Sequence, residues 1–263
     1  IYIGENNMDF DKVLHIATFA GRIILESGGE TYRVEETICR ICAAYGIRYA
    51  ESFVTPTGIM VSVYDENNYT TTLVKRVTNR TVDLQKIHLV NELSRKLYTE
   101  KYSLDEVLEK LIDINENCPK YDFRTNLVFS AIAAAGFTTI LGGNIEDCVV
   151  SFFVGMFVKL ATFKAGELGI NAFFINTLGG AIAALLSLIA YSLGVGSNLD
   201  TMIIGSIMLL VPGLSITNAI RDTIAGDLIS GLIRAAEAFL VAISIAVGTG
   251  MVMSIWIYFG GGI

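Results

Sequence analysis

The C-terminal half of the chain, residues 125–263, is built from five long runs that carry almost no charge. A helix that spans a lipid bilayer needs about 20 mostly apolar residues. The pattern therefore predicts an α-helical membrane protein with five transmembrane helices. Their predicted positions are about 125–145, 148–166, 170–194, 201–220 and 236–259.

Charge divides the chain into two parts. Residues 127–263 hold four of the 19 lysines and arginines and seven of the 26 aspartates and glutamates, so 15 and 19 of them lie in residues 1–126. We therefore predict a soluble domain over 1–120 and a transmembrane domain over 121–263. The net charge of −7 and the lack of a basic stripe argue against nucleic acid as a partner.

The soluble domain is predicted to be small and of the α+β class. Apolar residues at helical spacing predict helices over about 9–27 and 31–45, each ended by glycine. Three segments rich in β-branched and aromatic residues then predict an antiparallel sheet. The strands are expected at 47–54, 59–64 and 70–77, a hairpin turn at 65–68, and two last helices at about 86–98 and 104–117.

The loops between the predicted spans indicate an orientation. The first loop is acidic, whereas the second loop and the connection between the fourth and fifth spans are basic. The residues concerned are Glu146 and Asp147 in the first loop, then Lys159, Lys164, Arg221 and Arg234. Because basic loops stay in the cytoplasm, we expect a cytoplasmic N-terminal domain and an external C-terminus.

The fourth apolar run is interrupted by Pro212 and Gly213. A structural kink is one interpretation, since kinks are common in spanning helices. The other is a transport site, because lipid tolerates a broken helix only where protein or a water-filled cavity satisfies the freed backbone groups. A half-helix that begins after Gly213 would also point its free N–H groups at an anionic substrate group. We favour the second interpretation, in which the break marks a polar path for a solute.

Four of the polar residues that follow the break are candidates for this path: Asn218, Asp222, Arg234 and Glu237. Asn218 and Asp222 are four residues apart and share a helix face. If this region is buried, Arg234 suits a substrate carboxylate, and Asp222 or Glu237 could carry a proton. Arg234 and Glu237 could also pair. Alternatively, residues 221–237 form a cytoplasmic amphipathic connection whose charges are merely solvated or paired, and the sequence leaves both interpretations open.

Charged residues also surround the glycine pair at 28–29: Glu26, Glu30, Arg33 and Glu35. We interpret them as a helix cap with a solvated face. A regulatory or hydrolytic site is the alternative, but no set of nucleophile, base and orienting group is recognisable, so no catalytic residue is assigned.

The sequence suggests no cofactor and no metal. Cys39 and Cys42 lie on a predicted helix without a second cysteine pair. Without a phosphate-binding loop, we do not expect ATP to drive transport directly.

Two long segments resemble the bacterial threonine/serine exporter family. Residues 25–38 read Leu-Glu-Ser-Gly-Gly-Glu-Thr-Tyr-Arg-Val-Glu-Glu-Thr-Ile. The second segment starts at Leu209 and contains Pro212-Gly213, Asn218, Asp222, Gly226-Asp227, Ser230-Gly231 and Arg234, and Gly142-Gly143 with Asp147 is also similar to the family. The resemblance implies a multi-pass protein of the bacterial cytoplasmic membrane that exports small hydrophilic metabolites. Some members export threonine and serine, and two-subunit relatives are associated with succinate export.

Single-chain members of that family have about ten spans, whereas this chain supplies five. It is therefore similar to the larger subunit of the two-subunit form, which implies a second, smaller membrane subunit, a homo-oligomer, or both, in contact with membrane lipid. We expect an ion-gradient-driven exporter of threonine/serine-type amino acids, with a dicarboxylate such as succinate as the alternative cargo. A membrane-anchored sensor or hydrolase is the alternative of another class. Glu237 lies outside the resembling segment.

Overall fold

A computed structural model describes residues 7–64 and 70–260 of the chain. The chain packs into two compact units. The N-terminal unit combines the sequence up to Pro119 with a later segment, Leu214–Ala235. The membrane unit combines Lys120–Gly213 with the sequence that follows from Ala236.

The N-terminal unit has the predicted α+β order, in which two helices, a three-stranded antiparallel sheet and two further helices follow one another. Its predicted hairpin turn at 65–68 lies outside the described residues. The elements are α1 (Asn7–Glu26), α2 (Thr31–Ala44), β1 (Tyr49–Thr55), β2 (Gly58–Tyr64), β3 (Thr70–Arg76), α3 (Leu84–Lys96) and α4 (Leu104–Asn117).

The sheet buries one face and leaves the other exposed. Strand β2 lies between β1 and β3, and its residues Ile59, Val61 and Val63 are at most 2% exposed. Met60 points to the opposite face and is 44% exposed, as the two-residue period of a strand requires. Helix α1 packs on β2 and β3. The core of this unit therefore lies between the inner face of the sheet and the helices.

Short sequence signals set the helix ends in this unit. Ser103 and Glu106 form a capping box at the start of α4, in which the Ser103 N–H donates to Glu106 Oε2 over 2.7 Å and the Glu106 N–H donates to Ser103 Oγ over 3.3 Å. The chain leaves α2 through Gly46, whose φ of +84° falls in the left-handed region. Both features confirm expectations from the sequence.

The membrane unit is helical. It contains α5 (Phe123–Ile140), α6 (Ile145–Glu167), α7 (Ala172–Ser192), α8 (Leu199–Ile207) and most of α10 (Leu228–Tyr258), and α9 (Gly213–Ala225) links it to the other unit. Within the described residues, three helices, α6, α7 and α10, are long and apolar enough to cross a bilayer. They coincide with three of the five predicted spans, so the count of five stays a prediction.

The fourth predicted span, 201–220, is not one continuous helix. It forms the nine residues of α8 and, after a turn, the start of α9 at Gly213. Pro212 supplies no backbone N–H, and its ring is incompatible with a continuing helix. The break expected at Pro212-Gly213 is therefore present. From Leu214 onward, α9 packs with the N-terminal unit rather than with α8.

Small residues allow the helices of the membrane unit to approach closely. A Cβ atom on Gly180 of α7 would lie 2.6 Å from the carbonyl oxygen of Ile245 on α10. A Cβ atom on Gly248 of α10 would lie only 2.0 Å from the carbonyl oxygen of Thr177 on α7. The small residues of the third predicted span thus face protein, as expected for glycine at membrane helix interfaces.

This contact predicts that Gly248→Ala destabilises the membrane unit. The added methyl group meets a backbone oxygen that cannot move without shifting α7, and such overpacking typically costs about 1–3 kcal/mol. Gly250→Ala is the matched control, because no atom lies within 4 Å of the Cβ position there. We expect thermal unfolding in detergent to show a lower melting temperature for Gly248→Ala and an unchanged or slightly higher one for Gly250→Ala. Equal melting temperatures would contradict the close approach.

Candidate functional site

The candidate site is built around the tight loop that joins α1 to α2. Gly28 has a φ of +87°, which disfavours residues with a side chain. A Cβ atom on Gly28 would lie 3.0 Å from the carbonyl oxygen of Thr81, and one on Gly29 would lie 2.4 Å from Ile24 Cγ2. The glycine pair therefore lets the backbone turn sharply against its neighbours.

The loop turns two backbone carbonyl groups toward the segment Leu214–Ala235. Asn218 Nδ2 donates to the carbonyl oxygen of Gly28 over 2.9 Å. Arg234 Nη2 donates to the carbonyl oxygen of Gly29 over 2.7 Å. Asn218 is 2% exposed and Arg234 4% exposed. Two segments about 200 residues apart in sequence are thus joined by buried hydrogen bonds.

Asp222 caps the N-terminus of α2. The Thr31 hydroxyl donates to Asp222 Oδ1 over 2.9 Å, and the Thr31 backbone N–H lies 3.3 Å from the same oxygen. Glu30, the residue at the N-cap position, makes no capping hydrogen bond with its own side chain. A carboxylate from a distant helix therefore satisfies the first donors of α2 and opposes the positive end of its dipole.

The same carboxylate forms a buried ion pair. Asp222 Oδ2 lies 2.8 Å from Arg234 Nε, and Asp222 is 0% exposed. Removing two charges from water costs several kcal/mol per ion, which the pair recovers only through close contact and further hydrogen bonds. Thr31 provides such bonds on one side of the pair and the Gly29 carbonyl group on the other. Each side chain therefore neutralises the buried charge of the other.

A second, more exposed set of charges lies beside this pair. Glu30 accepts from Arg33 Nε over 2.8 Å and from Arg221 Nη1 over 2.5 Å. Burial alone would raise the pKa of the Glu30 carboxyl group, but the hydrogen bonds, with that from Arg33 the largest, lower it overall. Arg221 remains 55% exposed at its side chain, so this pair contributes less to stability than the buried one.

Polar side chains also cover the edge strand β1. The backbone N–H of Val54 donates to Glu35 Oε1 over 2.9 Å, and the Ser230 hydroxyl donates to the carbonyl oxygen of Val54 over 3.3 Å. Asp227 Oδ2 lies 3.2 Å from the Thr31 hydroxyl. Burial raises the pKa of Glu35, and the charges of Asp227 and Asp222 raise it further. The carboxylates of Glu35, Asp222 and Asp227 thus lie close enough for their charges to interact.

The comparisons with known proteins cover nearly the whole chain. Residues 15–256 match a family described as "Putative threonine/serine exporter". The chain belongs to the threonine/serine exporter family. Both segments that meet in the cluster lie inside the matched region.

Three relatives place the chain within this family. A "Threonine/serine exporter" of Corynebacterium glutamicum is 26% identical over 91% of this chain and 50% of its own length. A "Probable threonine/serine exporter" of Mycobacterium tuberculosis is 22% identical over 93% of this chain and 46% of its own length. A "Probable succinate transporter subunit YjjP" of Klebsiella aerogenes is 26% identical over 89% of this chain and 90% of its own length.

The chain thus spans about half the length of the curated exporters that it matches. It covers nearly all of the succinate transporter subunit. No solved structure matches it. Family membership, together with the three apolar helices, identifies a membrane protein of the exporter family.

Three of the six residues predicted for the site come together in this exporter-family chain. Asn218, Asp222 and Arg234 all contact the loop or the start of α2. Asp222 and Arg234 are buried, so their charges are not solvated. They form an ion pair with each other, and the choice between a transport path and a connection with paired charges stays open.

The other three predicted residues lie elsewhere in sequence. Pro212 and Gly213 stand at the end of the membrane unit's segment, where α9 begins. Glu237 is half-buried on α10, one turn beyond Arg234. Their part in a transport path stays a prediction.

The N-terminal half of the cluster does not follow from the sequence patterns. Glu30, for which the sequence predicts a solvated face, is 7% exposed, and Thr31 is 0% exposed. Both approach the segment Leu214–Ala235 through hydrogen bonds. The signal available in the sequence is the first resembling segment, residues 25–38.

Asp147 holds a separate turn in the membrane unit. Its Oδ1 accepts from the backbone N–H groups of Ser197 and Asn198 over 2.7 and 3.1 Å. Its Oδ2 accepts from the backbone N–H of Asn144 over 2.8 Å and from Asn198 Nδ2 over 2.9 Å. With four donors around it and 0% exposure, this carboxylate joins the start of α6 to the loop before α8.

Cys39, Cys42 and Cys148 form no disulfide within the described residues. Burial raises the pKa of the Cys42 thiol to about 12, so this thiol stays protonated and unreactive at neutral pH. In the same part of the chain, no group of three or more His, Cys, Asp or Glu side chains could hold a metal ion.

The buried ion pair predicts strongly coupled effects of mutation. Asp222→Asn alone, or Arg234→Met alone, leaves one buried charge unpaired and should destabilise the protein by about 3–5 kcal/mol. The double variant Asp222→Asn/Arg234→Met should cost less than the sum of the two, because no charge is left unpaired. Thermal unfolding in detergent measures the cycle. Strict additivity would show that the two side chains do not interact.

Glu35 predicts a pH-dependent effect. Its pKa is raised in the folded state, so its charged form disfavours folding above that pKa, and this penalty disappears as the pH falls below the unfolded value of about 4.3. Glu35→Gln keeps the acceptor for the Val54 N–H but removes the charge. It should raise the melting temperature at pH 8 and lose this advantage toward pH 4. Glu116→Gln, at an exposed position, should show neither effect, and a Glu35→Gln advantage that does not depend on pH would contradict the assignment.

Proposed function

We propose that this chain is one subunit of a secondary exporter of small hydrophilic metabolites. The observation that carries the proposal is the buried Asp222–Arg234 pair, which closely follows a Pro-Gly break in an exporter-family chain. Burying two charges is costly, and buried, coupled ionisable groups cluster at functional sites. Their cost is easier to account for in a transporter than in a simple membrane anchor.

The proposed path includes the six residues Pro212, Gly213, Asn218, Asp222, Arg234 and Glu237. The break at Pro212 and Gly213 lets α9 begin as a new helix, whose N-terminus can face an anionic substrate group. Arg234 already holds a carboxylate, that of Asp222. A substrate carboxylate would replace Asp222 as its partner once this buried pair opens. Asp222 released in this way would be free to take up a proton, which supports coupling to a proton gradient, and Glu237 is the other candidate carrier.

Threonine/serine-type amino acids are the cargo that we propose first. The support is the description of the matching family and the name of the Corynebacterium glutamicum relative. Each of these amino acids has one carboxylate, which suits one buried guanidinium group. Succinate is the second candidate, because the chain covers 90% of the relative named as a succinate transporter subunit.

A second, smaller membrane subunit is proposed as the partner, with homo-oligomerisation as a further possibility. The support is the name of the Klebsiella aerogenes relative, a "transporter subunit" of which this chain covers 90%. We further propose the bacterial cytoplasmic membrane as the location, with the N-terminal unit in the cytoplasm, in keeping with the basic residues of the predicted inner loops.

Metabolite efflux from cells tests the proposal. Cells loaded with threonine, serine or succinate would express this chain with and without the small membrane protein encoded beside it. We expect export only when both are present, and we expect Pro212→Ala and Arg234→Ala to abolish it. Arg95→Ala, which removes an exposed arginine from α3, is the control of matched chemistry.

The amount of folded variant must be measured by size-exclusion chromatography, because Arg234→Ala is also expected to reduce stability. Export per folded molecule then separates transport from folding. If folded Pro212→Ala and Arg234→Ala both export at the parent rate, the site assignment is wrong. The exporter proposal itself fails if no cargo leaves the cells, with or without the small membrane protein, while a hydrolytic or sensory activity is present.

A further inference from the structure

A second polar site lies in the N-terminal unit, between α1 and β3. It is a cavity of about 180 Å³ that is open to solvent. The residues that line it are His15, Thr18, Phe19, Arg22, Leu73 and Lys75. Water occupies about 30 Å³ per molecule in the liquid, so the cavity has room for about six water volumes or a small organic molecule.

Two buried polar groups in this cavity have no hydrogen-bond partner among the described residues. They are Thr18 Oγ1 and Arg22 Nε, four residues apart on α1 and therefore on the same helix face. Thr18 is 2% exposed. The nearest acid to Arg22 is Glu26, whose Oε1 lies 3.7 Å from Nε and is therefore beyond hydrogen-bond distance. Orphaned buried groups are rare in native proteins and require an explanation.

Two of the six side chains that line the cavity are basic, Arg22 and Lys75, and none is acidic. Glu26, the ion-pair partner of Arg22, is not among the lining residues. The Arg22 guanidinium group stands 5.1 Å from the centre of the Phe19 ring, which restricts its orientation. Two hydrogen-bond donors held in place beneath basic side chains match the chemistry of a carboxylate.

We propose that this cavity binds a small dicarboxylate. One carboxylate accepts from the Thr18 hydroxyl and from Arg22 Nε, which satisfies both orphaned groups. The other carboxylate lies toward Lys75 and His15 at the mouth. The volume fits a molecule of roughly four carbons. Since none of these residues belongs to the proposed export path, the site provides separate recognition of an organic acid by the N-terminal unit.

Binding to the purified full chain in detergent tests this site, with succinate as the probe and threonine and inorganic phosphate as comparisons. Titration calorimetry would be run at constant ionic strength set with NaCl. Thr18→Val removes a hydroxyl that has no partner, so the variant should fold normally. Lys75→Gln and Arg76→Gln remove the same charge from neighbouring positions on β3, but only Lys75 lines the cavity.

We expect succinate to bind, threonine and phosphate to bind more weakly, and both Thr18→Val and Lys75→Gln to weaken succinate binding about tenfold, as expected for loss of one charge-assisted hydrogen bond. Arg76→Gln should bind like the parent. Three outcomes would overturn the proposal. Succinate could release no more heat than an equivalent addition of NaCl, Arg76→Gln and Lys75→Gln could weaken succinate binding equally, or phosphate could bind where succinate does not. Because α1 and β3 lie outside the proposed export path, absence of export leaves this test unaffected.

Discussion

The architecture of the N-terminal unit depends on one buried carboxylate, that of Asp222. It caps α2 through Thr31 and neutralises Arg234, and Arg234 in turn holds the loop at Gly29. Capping groups and ion pairs are usually local, but here both partners come from the far end of the sequence. Without Asp222, the first donors of α2 and a guanidinium group would be left buried and uncompensated. This single side chain therefore joins the α+β domain to the helices that follow the membrane segments.

This arrangement explains the position of the Pro-Gly break. Packing changes from the membrane unit to the N-terminal unit between Gly213 and Leu214, directly after the break. A continuous helix would have kept residues 214–225 in line with α8. Because Pro212 ends the regular hydrogen-bonding pattern, α9 can begin afresh and present Asn218 and Asp222 to the glycine loop. The chain returns to the membrane unit at Ala236, within the long helix α10, so one helix carries both Arg234 and an apolar span.

The two polar sites of the N-terminal unit differ in their electrostatics. Around Thr31, carboxylates outnumber the buried arginine, and most polar atoms have partners within the chain. Around Thr18, the charged side chains of the cavity are basic. Two buried polar atoms there, Thr18 Oγ1 and Arg22 Nε, have no hydrogen-bond partner among the described residues. The first arrangement joins two segments that lie about 190 residues apart in the sequence. The second is the site that we propose for a separate molecule.

The sequence by itself determined the class of this protein. Apolar runs, the drop in charge and the periodic patterns before Pro119 predicted a membrane protein with an α+β domain, because these signals depend only on neighbours along the chain. The break at Pro212-Gly213 was readable for the same reason, since proline acts on its own helix. The resemblance of residues 25–38 and 209–234 then indicated the family. The count of five spans stays a prediction.

Only the tertiary structure decided which polar residues meet. Asp222 and Arg234 could equally have been solvated on an amphipathic connector, because periodicity shows which residues share a face but not what that face contacts. Glu30 and Thr31 were taken for an ordinary helix start, since their partners lie about 190 residues away. Long-range hydrogen bonds leave no periodic trace in a sequence. The burial of these charges, and with it the candidate site, therefore depended on the packing of Leu214–Ala235 against the N-terminal unit.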